Sequence, residues 1–422
     1  MSEAVCVDVG STYTKALRVD LGSGRVLSRS EVPTTSSSDV LHGLDAAVEA
    51  AGGVADELYV CSSAGGGLRL AVVGYESLVT AEAGHRVGLS AGAQVVHVAA
   101  GLLDGRAIAA LRAARPDVIL LVGGTDGGDE EALRHNARRL ATSRMRVPVV
   151  VAGNADARPD AARVLTERGV PVVVTGNVLP RIGVLDALPA RAAIREMFLR
   201  HVIGGKRLSK GRRFASLVRC ATPDAVLAGV SLLADETAAG VLVVDVGGAT
   251  TDVYSALVPD GELEHGPQRD VAGTLWRSRT VEGDLGVGVG AAGVVAAATS
   301  EKLPEPDISG GRPYDVAVDR ALASTAAMIA LRRHARGHSP GPGLPRTGGR
   351  DLRDVRLVVG SGGVLRHGGG EAVLDAVLGD TAGGWAAPRQ VRRAVDTRYV
   401  LAAAGMLAED HPAAAAALVN SL

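Results

Sequence analysis

Residues 241–255 read VLVVDVGGATTDVYS. Val241, Leu242, Val243, Val244 and Val246 form a buried-strand run that carries Asp245 to the mouth of a sheet. Gly247-Gly248 turns the chain, Ala249-Thr250-Thr251-Asp252 crosses the turn, and Val253-Tyr254 starts a second strand. Residues 5–17, VCVDVGSTYTKAL, follow the same plan: a strand delivers Asp8, Gly10 turns, Ser11 and Thr12 line the turn, and Tyr13 to Leu17 runs back out. Two copies of strand–Asp–x–Gly–turn–Thr–strand, more than half the chain apart, mark a duplicated fold with a nucleotide between its halves.

The chemistry needs these residue types. A turn between two strands points successive backbone N–H groups into one concavity, which suits a phosphate. Glycine lets the backbone approach the ligand without a side chain in the way. Thr12, Thr250 and Thr251 add hydroxyl donors. An aspartate at each strand end supplies hard oxygen for Mg²⁺, which keeps most of its waters. One such hairpin is an ordinary turn; the pair is the signal.

The 422 residues predict two or three domains. With 47% hydrophobic but only 2% aromatic residues, the cores must be built from Ala, Val and Leu. A net charge of −1 gives no electrostatic case for nucleic acid or a membrane surface. The start, MSEAVCVDVG, lacks the basic and apolar regions of a leader, and no apolar run is long enough to span a bilayer. Cys6, Cys61 and Cys220 are isolated, with neither metal spacing nor a disulfide framework. These features read as a cytoplasmic, reduced protein.

Residues 1–90 begin as a β-meander with strands at 5–9, 13–21 and 26–32, followed by a helix over Leu41, Leu44, Ala47, Val48 and Ala51 and a strand at 58–61. From 94 to 203 the rhythm changes to a doubly wound α/β unit, with strands near 94–98, 118–122, 147–151 and 170–174 and helices at 104–114, 129–141 and 157–168. The loops Gly123–Gly128, Gly153–Asp156 and Gly176-Asn177 share its strand-end edge, a natural place for an effector or partner. A Pro189-opened helix and the basic cluster Lys206, Arg207, Lys210, Arg212 and Arg213 lead to a helix at 224–239. The second lobe carries strands at 241–246, 251–258 and 262–270, then TVEGDLG opening an Ala-rich helix to about 299, and a helical stripe to His334. The Pro/Gly-rich segment 337–350 reads as a surface insertion, and the His334/His338 spacing, unframed by carboxylates, is not a metal site. A strand at 355–359 runs into Gly360-Ser361-Gly362-Gly363, where an adenosine can rest; the last strand ends near Asp396 and a helix over 399–407 closes the chain.

Three of these segments resemble the phosphate-1, phosphate-2 and adenosine motifs of the actin-like ATPase superfamily: DVGSTYTKA (8–16), DVGGATTDVY (245–254) and VVGSGG (358–363). DVGSTYTKALRVD, VGGTDGG, VVVAGNADA, PARAAIREMFLRHVIGGKRLS, TVEGDLG and YVLAAAGML narrow the resemblance further. Together they are similar to the MutL-type accessory proteins of adenosylcobalamin-dependent glutamate mutase, unrelated to the mismatch-repair protein of that name. The match covers nearly the whole chain.

The resemblance implies two ribonuclease-H-like, actin-like ATPase lobes, 1–235 and 236–422, with the α/β insertion at about 94–203 in the first. It implies that Asp8 and Asp245 hold Mg²⁺, largely through water. By the same resemblance Gly10, Ser11, Thr12, Lys15, Gly247, Gly248, Thr250 and Thr251 grip the phosphates of ATP, and Gly360, Gly362 and Gly363 floor the adenosine. Glu282 or Asp284 is the carboxylate that approaches the γ-phosphate to position water. The implied function is ATP hydrolysis coupled to lobe closure, protecting or reactivating a cobalamin-dependent mutase. Its partners are the mutase subunits, with neither nucleic acid nor membrane and with a homodimer allowed for. The alternatives are a small-molecule kinase, with Asp126 or Asp284 as base, and a nucleotide-dependent scaffold. An iron–sulfur activator of dehydratases would need paired cysteines, which this chain lacks.

Overall fold

The computed structural model describes residues 2–64, 68–76, 79–91, 93–203, 208–211, 213–258, 276–308, 315–337, 349–388 and 390–422. The Gly65–Gly67 run, the strand expected at 262–270, Lys206, Arg207, Arg212, His338 and most of the 337–350 segment lie outside these residues.

The chain opens with β1 (Glu3–Val9), β2 (Tyr13–Asp20), β3 (Val26–Pro33), α1 (Val40–Ala50) and β4 (Glu57–Ser62). Asp39 caps α1, its side chain accepting from Leu41 N. A second unit follows: β5 (Arg69–Gly74), α2 (Thr80–Ser90), β6 (Gln94–Ala100), α3 (Gly105–Ala113), β7 (Val118–Leu121), α4 (Glu131–Thr142), β8 (Val149–Val151), α5 (Arg158–Glu167), β9 (Val172–Val174) and α6 (Leu188–Met197). The chain returns to the first sheet through α7 (Arg213–Leu217) and β10 (Val218–Ala221). Helix α8 (Thr222–Thr237) then leads into β11 (Gly240–Val246), β12 (Thr251–Ala256), β13 (Arg277–Glu282), α9 (Ala291–Ser300), α10 (Val316–Arg336) and β14 (Val355–Ser361). Helix α11 (Gly370–Leu378), β15 (Arg392–Val395), α12 (Val400–Leu407) and α13 (Pro412–Asn420) complete it.

The first sheet has the order β3-β2-β1-β4-β10 and the last has β13-β12-β11-β14-β15. In each, a three-stranded antiparallel meander is extended by two parallel strands. This ribonuclease-H-like order, present twice, is that of the two lobes of an actin-like ATPase. The third sheet, β6-β5-β7-β8-β9, is wholly parallel. Ala71, Val73, Ile119 and Leu121 pack on α3, α4 and α5 from one face, while Leu70, Val72, Val118 and Leu120 pack on α2 and α6 from the other. That is the doubly wound arrangement. Its second core runs on without a break into that of the first lobe, and Phe198 and Phe214, the only two phenylalanines in the chain, are buried at the seam.

Three expectations need correction. The α/β unit does not begin at 94: β5, at Arg69–Gly74, pairs with both β6 and β7 in the middle of its sheet. A short strand such as RLAVVG carries no local mark of which sheet it will join. In the second lobe β13 ends at Glu282, so Val281 and Glu282 close a strand, and the Ala-rich helix starts later, at Ala291. The 399–407 helix is not the last element either, since α13 follows it and packs back on α8 and α12.

The lobes meet through α8 and α12. Helix α8 lies against β11 and β12 of the second lobe, α12 against β1 and β4 of the first, and both helices are buried in one core that includes Ala4, Cys6, Tyr59, Val243 and Val359. They cross with backbone nearly touching backbone. A Cβ at Gly229 would lie 2.0 Å from the Leu401 carbonyl oxygen, and one at Gly405 only 1.8 Å from that of Ala225.

His334 is a core residue. It is wholly buried, with Nδ1 2.6 Å from Thr280 Oγ1 and Nε2 2.9 Å from Ser255 Oγ. Burial, aided by Arg350, holds its imidazole well below the ordinary histidine value. The unfolded chain takes up a proton near pH 6.5 that the folded state refuses. This contribution to stability is therefore complete above pH 6.5 and is lost as pH falls below it, at about 1.4 kcal/mol per unit. Chemical denaturation at pH 7.5 and 5.5 should show His334→Gln losing less stability on acidification than the wild type. Gly405→Ala would stabilise an ordinary helix by about 1 kcal/mol. Here it should destabilise by about 1–3 kcal/mol or more, because the helices must separate; a gain in urea midpoint would refute the close crossing.

Candidate functional site

Both hairpins close in the same way. Gly10 N donates to Tyr13 O at 3.1 Å, and Gly247 N donates to Thr250 O at 2.9 Å. The amides of Ser11, Thr12, Gly248 and Ala249 donate to nothing among the described residues, so each turn presents free N–H groups. The first turn is held from outside by Thr34, whose hydroxyl donates to Gly10 O at 2.9 Å and whose amide donates to Thr12 O at 2.8 Å. The second is held by the loop after β13, where Val287 N reaches Gly247 O at 3.1 Å and Gly288 N reaches Gly248 O at 2.8 Å. A Cβ on Gly286 would lie 2.6 Å from Gly248 O, so that loop packs on the turn as bare backbone.

Between the lobes lies a cavity of about 580 Å³, lined by Asp8, Lys15, Glu31, Thr222, Asp245, Arg366 and Tyr399 among others; Gly10, Ser11, Thr12, Gly247, Gly248 and Thr250 are not part of its lining. Asp8 and Lys15 are register partners across β1 and β2. Thr222, at the start of α8, donates its hydroxyl to Asp8 Oδ1 at 2.5 Å. Burial pushes the Asp245 carboxyl up to about 6; Lys15 opposes the rise, and Asp252, Asp8 and Asp396 add to it. Burial works against the charge on Lys15, but Asp8, Tyr399, Asp245 and Glu31 outweigh it and its pKa is raised. The Lys15 ammonium stands 3.9 Å from the centroid of the Tyr399 ring. Asp396, at the opposite wall, accepts from Val400 N at 3.0 Å and Leu401 N at 3.1 Å, fixing the start of α12.

Not every residue expected here arrives. Thr251 is fully buried, and its hydroxyl donates to Leu285 O at 2.8 Å, away from the turn's mouth. Glu282 receives Arg333 Nη1 at 2.5 Å on the α10 side, Asp284 is exposed, and neither lines the cavity. Gly362 has φ +103°, and a Cβ there would lie 2.1 Å from Val246 O, so it serves the packing of β14 against β11. Gly360 packs under Leu365, and of the three only Gly363 faces open space. On the insertion edge Asp126 accepts from Ala155 N and Asn177 Nδ2 at 2.9 Å each, and Asn154 Nδ2 donates to Thr125 O at 2.7 Å, so these loops tie one another. Sequence reasoning gave no role to Thr222, Glu31, Arg366 or Tyr399, although Tyr399 opens the YVLAAAGML segment.

A family model described as MutL protein matches residues 4–422. The chain belongs to the MutL protein family. Protein MutL of Clostridium tetanomorphum is 33% identical over 454 residues, covering 98% of this chain and 97% of that protein. Among solved structures, component A of (R)-2-hydroxyglutaryl-CoA dehydratase from Acidaminococcus fermentans is 11% identical and covers 99% of this chain and 97% of its own, with a TM-score of 0.30. The ROK hexokinase of Thermus thermophilus is 15% identical, with 99% and 97% coverage and a TM-score of 0.28. At that level of superposition the strand order described above, rather than the likeness, defines the fold of this MutL-family chain. No helix among the described residues is long and apolar enough to cross a membrane.

Thr251 gives a sharp test of what this geometry implies. Thr251→Val leaves the Leu285 carbonyl unpaired in the interior and should lower stability by about 1–3 kcal/mol, read by urea unfolding. Unchanged stability would mean that the hydroxyl faces the turn's mouth instead.

Proposed function

We propose that this chain binds ATP with Mg²⁺ between its lobes, hydrolyses it, and uses the resulting lobe movement to protect or reactivate an adenosylcobalamin-dependent mutase such as glutamate mutase. The observation that carries the reading is the convergence of two equivalent hairpins, each delivering one aspartate, Asp8 and Asp245, to a single cavity. Membership of the MutL family supports the choice of client.

The residues fit such a ligand. Among the described residues no three His, Cys, Asp or Glu side chains form a metal cage. Two carboxylates in a cavity suit a cation that is held mainly through its waters, as Mg²⁺ is. The raised Asp245 carboxyl, crowded by Asp252, Asp8 and Asp396, is an environment that added positive charge would relieve. The amides of Ser11, Thr12, Gly248 and Ala249, which donate to nothing among the described residues, suit phosphate oxygens, and Lys15 adds a point charge beside Asp8 and Asp245. Bound Mg²⁺ would supply charge neutralisation at the phosphates. The protein's part is to hold the phosphates in line, exclude water from the cavity and keep Asp8 oriented through Thr222. Catalysis of this kind rests on positioning and electrostatics rather than on a covalent intermediate.

MgATP should raise the melting temperature through mass action on the native state, and ATP should do so more than GTP if the Gly360-Ser361-Gly362-Gly363 floor reads adenine. Asp245→Asn keeps the shape and removes the charge, so the fold should persist while hydrolysis falls by roughly 10²-fold or more. Asp8→Asn should behave alike, and the double variant should lose far less than the product of the two, since both serve one metal. The same variants should fail to restore turnover to an inactivated cobalamin mutase given ATP and fresh cofactor. Normal hydrolysis by Asp245→Asn would place the site elsewhere; lost hydrolysis with intact rescue would separate the ATPase from its assigned use.

A further inference from the structure

Tyr399 has the backbone of a residue kept for more than packing. It occupies the left-handed region, φ +60° and ψ +36°, as the residue preceding α12. A bulky side chain is an outlier there, and such outliers persist where the surrounding structure demands them. The demand is visible in the cavity. Lys15 Nζ of the first lobe lies 3.9 Å from the Tyr399 ring centroid, and Arg366 Cζ of the second lies 4.1 Å from it. Arg366 in turn donates to Glu31 of the first lobe at 2.6 Å. Beside this chain of contacts, Arg29 of β3 donates to Thr397 O at 2.8 Å, pinning the loop that carries the tyrosine.

Two cations converging on one ring is a costly arrangement unless each has a counter-charge. Glu31 answers Arg366, and Asp8 and Asp245 answer Lys15. An ammonium on a flexible four-carbon stem has many rotamers to lose. An aromatic face fixes it in place while leaving N–H donors for phosphate oxygens. We infer that Tyr399 is a positioning residue: its ring holds Lys15 at the phosphate site and, through Arg366 and Glu31, makes that placement depend on the lobes being closed. This inference deepens the nucleotide reading above and rests on it.

The test uses the full-length protein with MgATP as the probe. Tyr399→Asn removes the ring but suits the left-handed backbone, so the fold should survive. Its KM for MgATP should rise roughly 10-fold, the scale of a desolvated cation–π contact, with a smaller change in kcat. Tyr399→Phe, which keeps the ring, should restore most of the affinity. On a Lys15→Met background Tyr399→Asn should raise KM no further, because the two residues act as one. Equal KM values for wild type and Tyr399→Asn, or independent effects in the double variant, would overturn the inference. Loss of the fold in both Tyr399→Asn and Tyr399→Gly would overturn it too, by making the ring a packing element. A wild type that shows no response to MgATP would instead remove the nucleotide reading on which it stands.

Discussion

Everything in this molecule hangs on the place where α8 and α12 cross. Gly229 meets the Leu401 carbonyl and Gly405 meets that of Ala225, so the contact is reciprocal, and in each helix the glycine sits four residues after the carbonyl that the other helix's glycine approaches. Each helix belongs by connection to one lobe. Helix α8 follows β10 of the first sheet and lies on the second; α12 follows β15 of the second sheet and lies on the first. Their N-termini are also the walls of the cavity. Thr222 opens α8 and bonds Asp8, while Asp396 and Tyr399 open α12 opposite Lys15. The two helices that open at the cavity are thus held together backbone to backbone, and glycine is the residue that permits the approach.

The cavity stands apart chemically from the rest of the interior. Elsewhere the core is Ala, Val and Leu, with very few aromatics to fill it. Between the lobes, by contrast, charged groups are gathered where water is partly excluded, which is expensive unless every charge is answered. Lys15 stands among Asp8, Asp245 and Glu31, and Arg366 pairs with Glu31 across the gap. The duplicated fold is not symmetric here. The position on β2 opposite Asp8 is Lys15, whereas the position on β12 opposite Asp245 is Asp252, which pairs with Arg279 at 2.8 Å. One half of the duplication therefore places a cation next to its aspartate, and the other places a second carboxylate whose charge is answered from β13.

Much of this was legible in the residues themselves. Hydrophobic runs ending in Asp-x-Gly identified β1 with β2 and β11 with β12, because strand patterning and turn chemistry are local properties of a few neighbouring residues. The polar stretch before α1 announced a cap, which Asp39 supplies. The same locality explains the errors. RLAVVG has the composition of a buried strand, but its neighbours in the sheet are β6 and β7, fixed by packing far along the chain. Val281 and Glu282 looked like the opening of a helix because the strand they close pairs with β12, which lies beyond the intervening segment.

The sequence by itself determined the two aspartate-bearing hairpins and the alternating strands and helices of the insertion, and it singled out Asp8, Lys15 and Asp245, which line one cavity. Only the tertiary structure decided which way the hydroxyl of Thr251 turns, that Glu282 is bound to Arg333, and that Gly229 and Gly405 are points of helix contact rather than ordinary glycines. It alone brought Tyr399 between Lys15 and Arg366. The periods of 2 and 3.6 that a sequence displays say which face of an element is buried. They say nothing of what it is buried against, and that is settled by contacts between residues hundreds of positions apart.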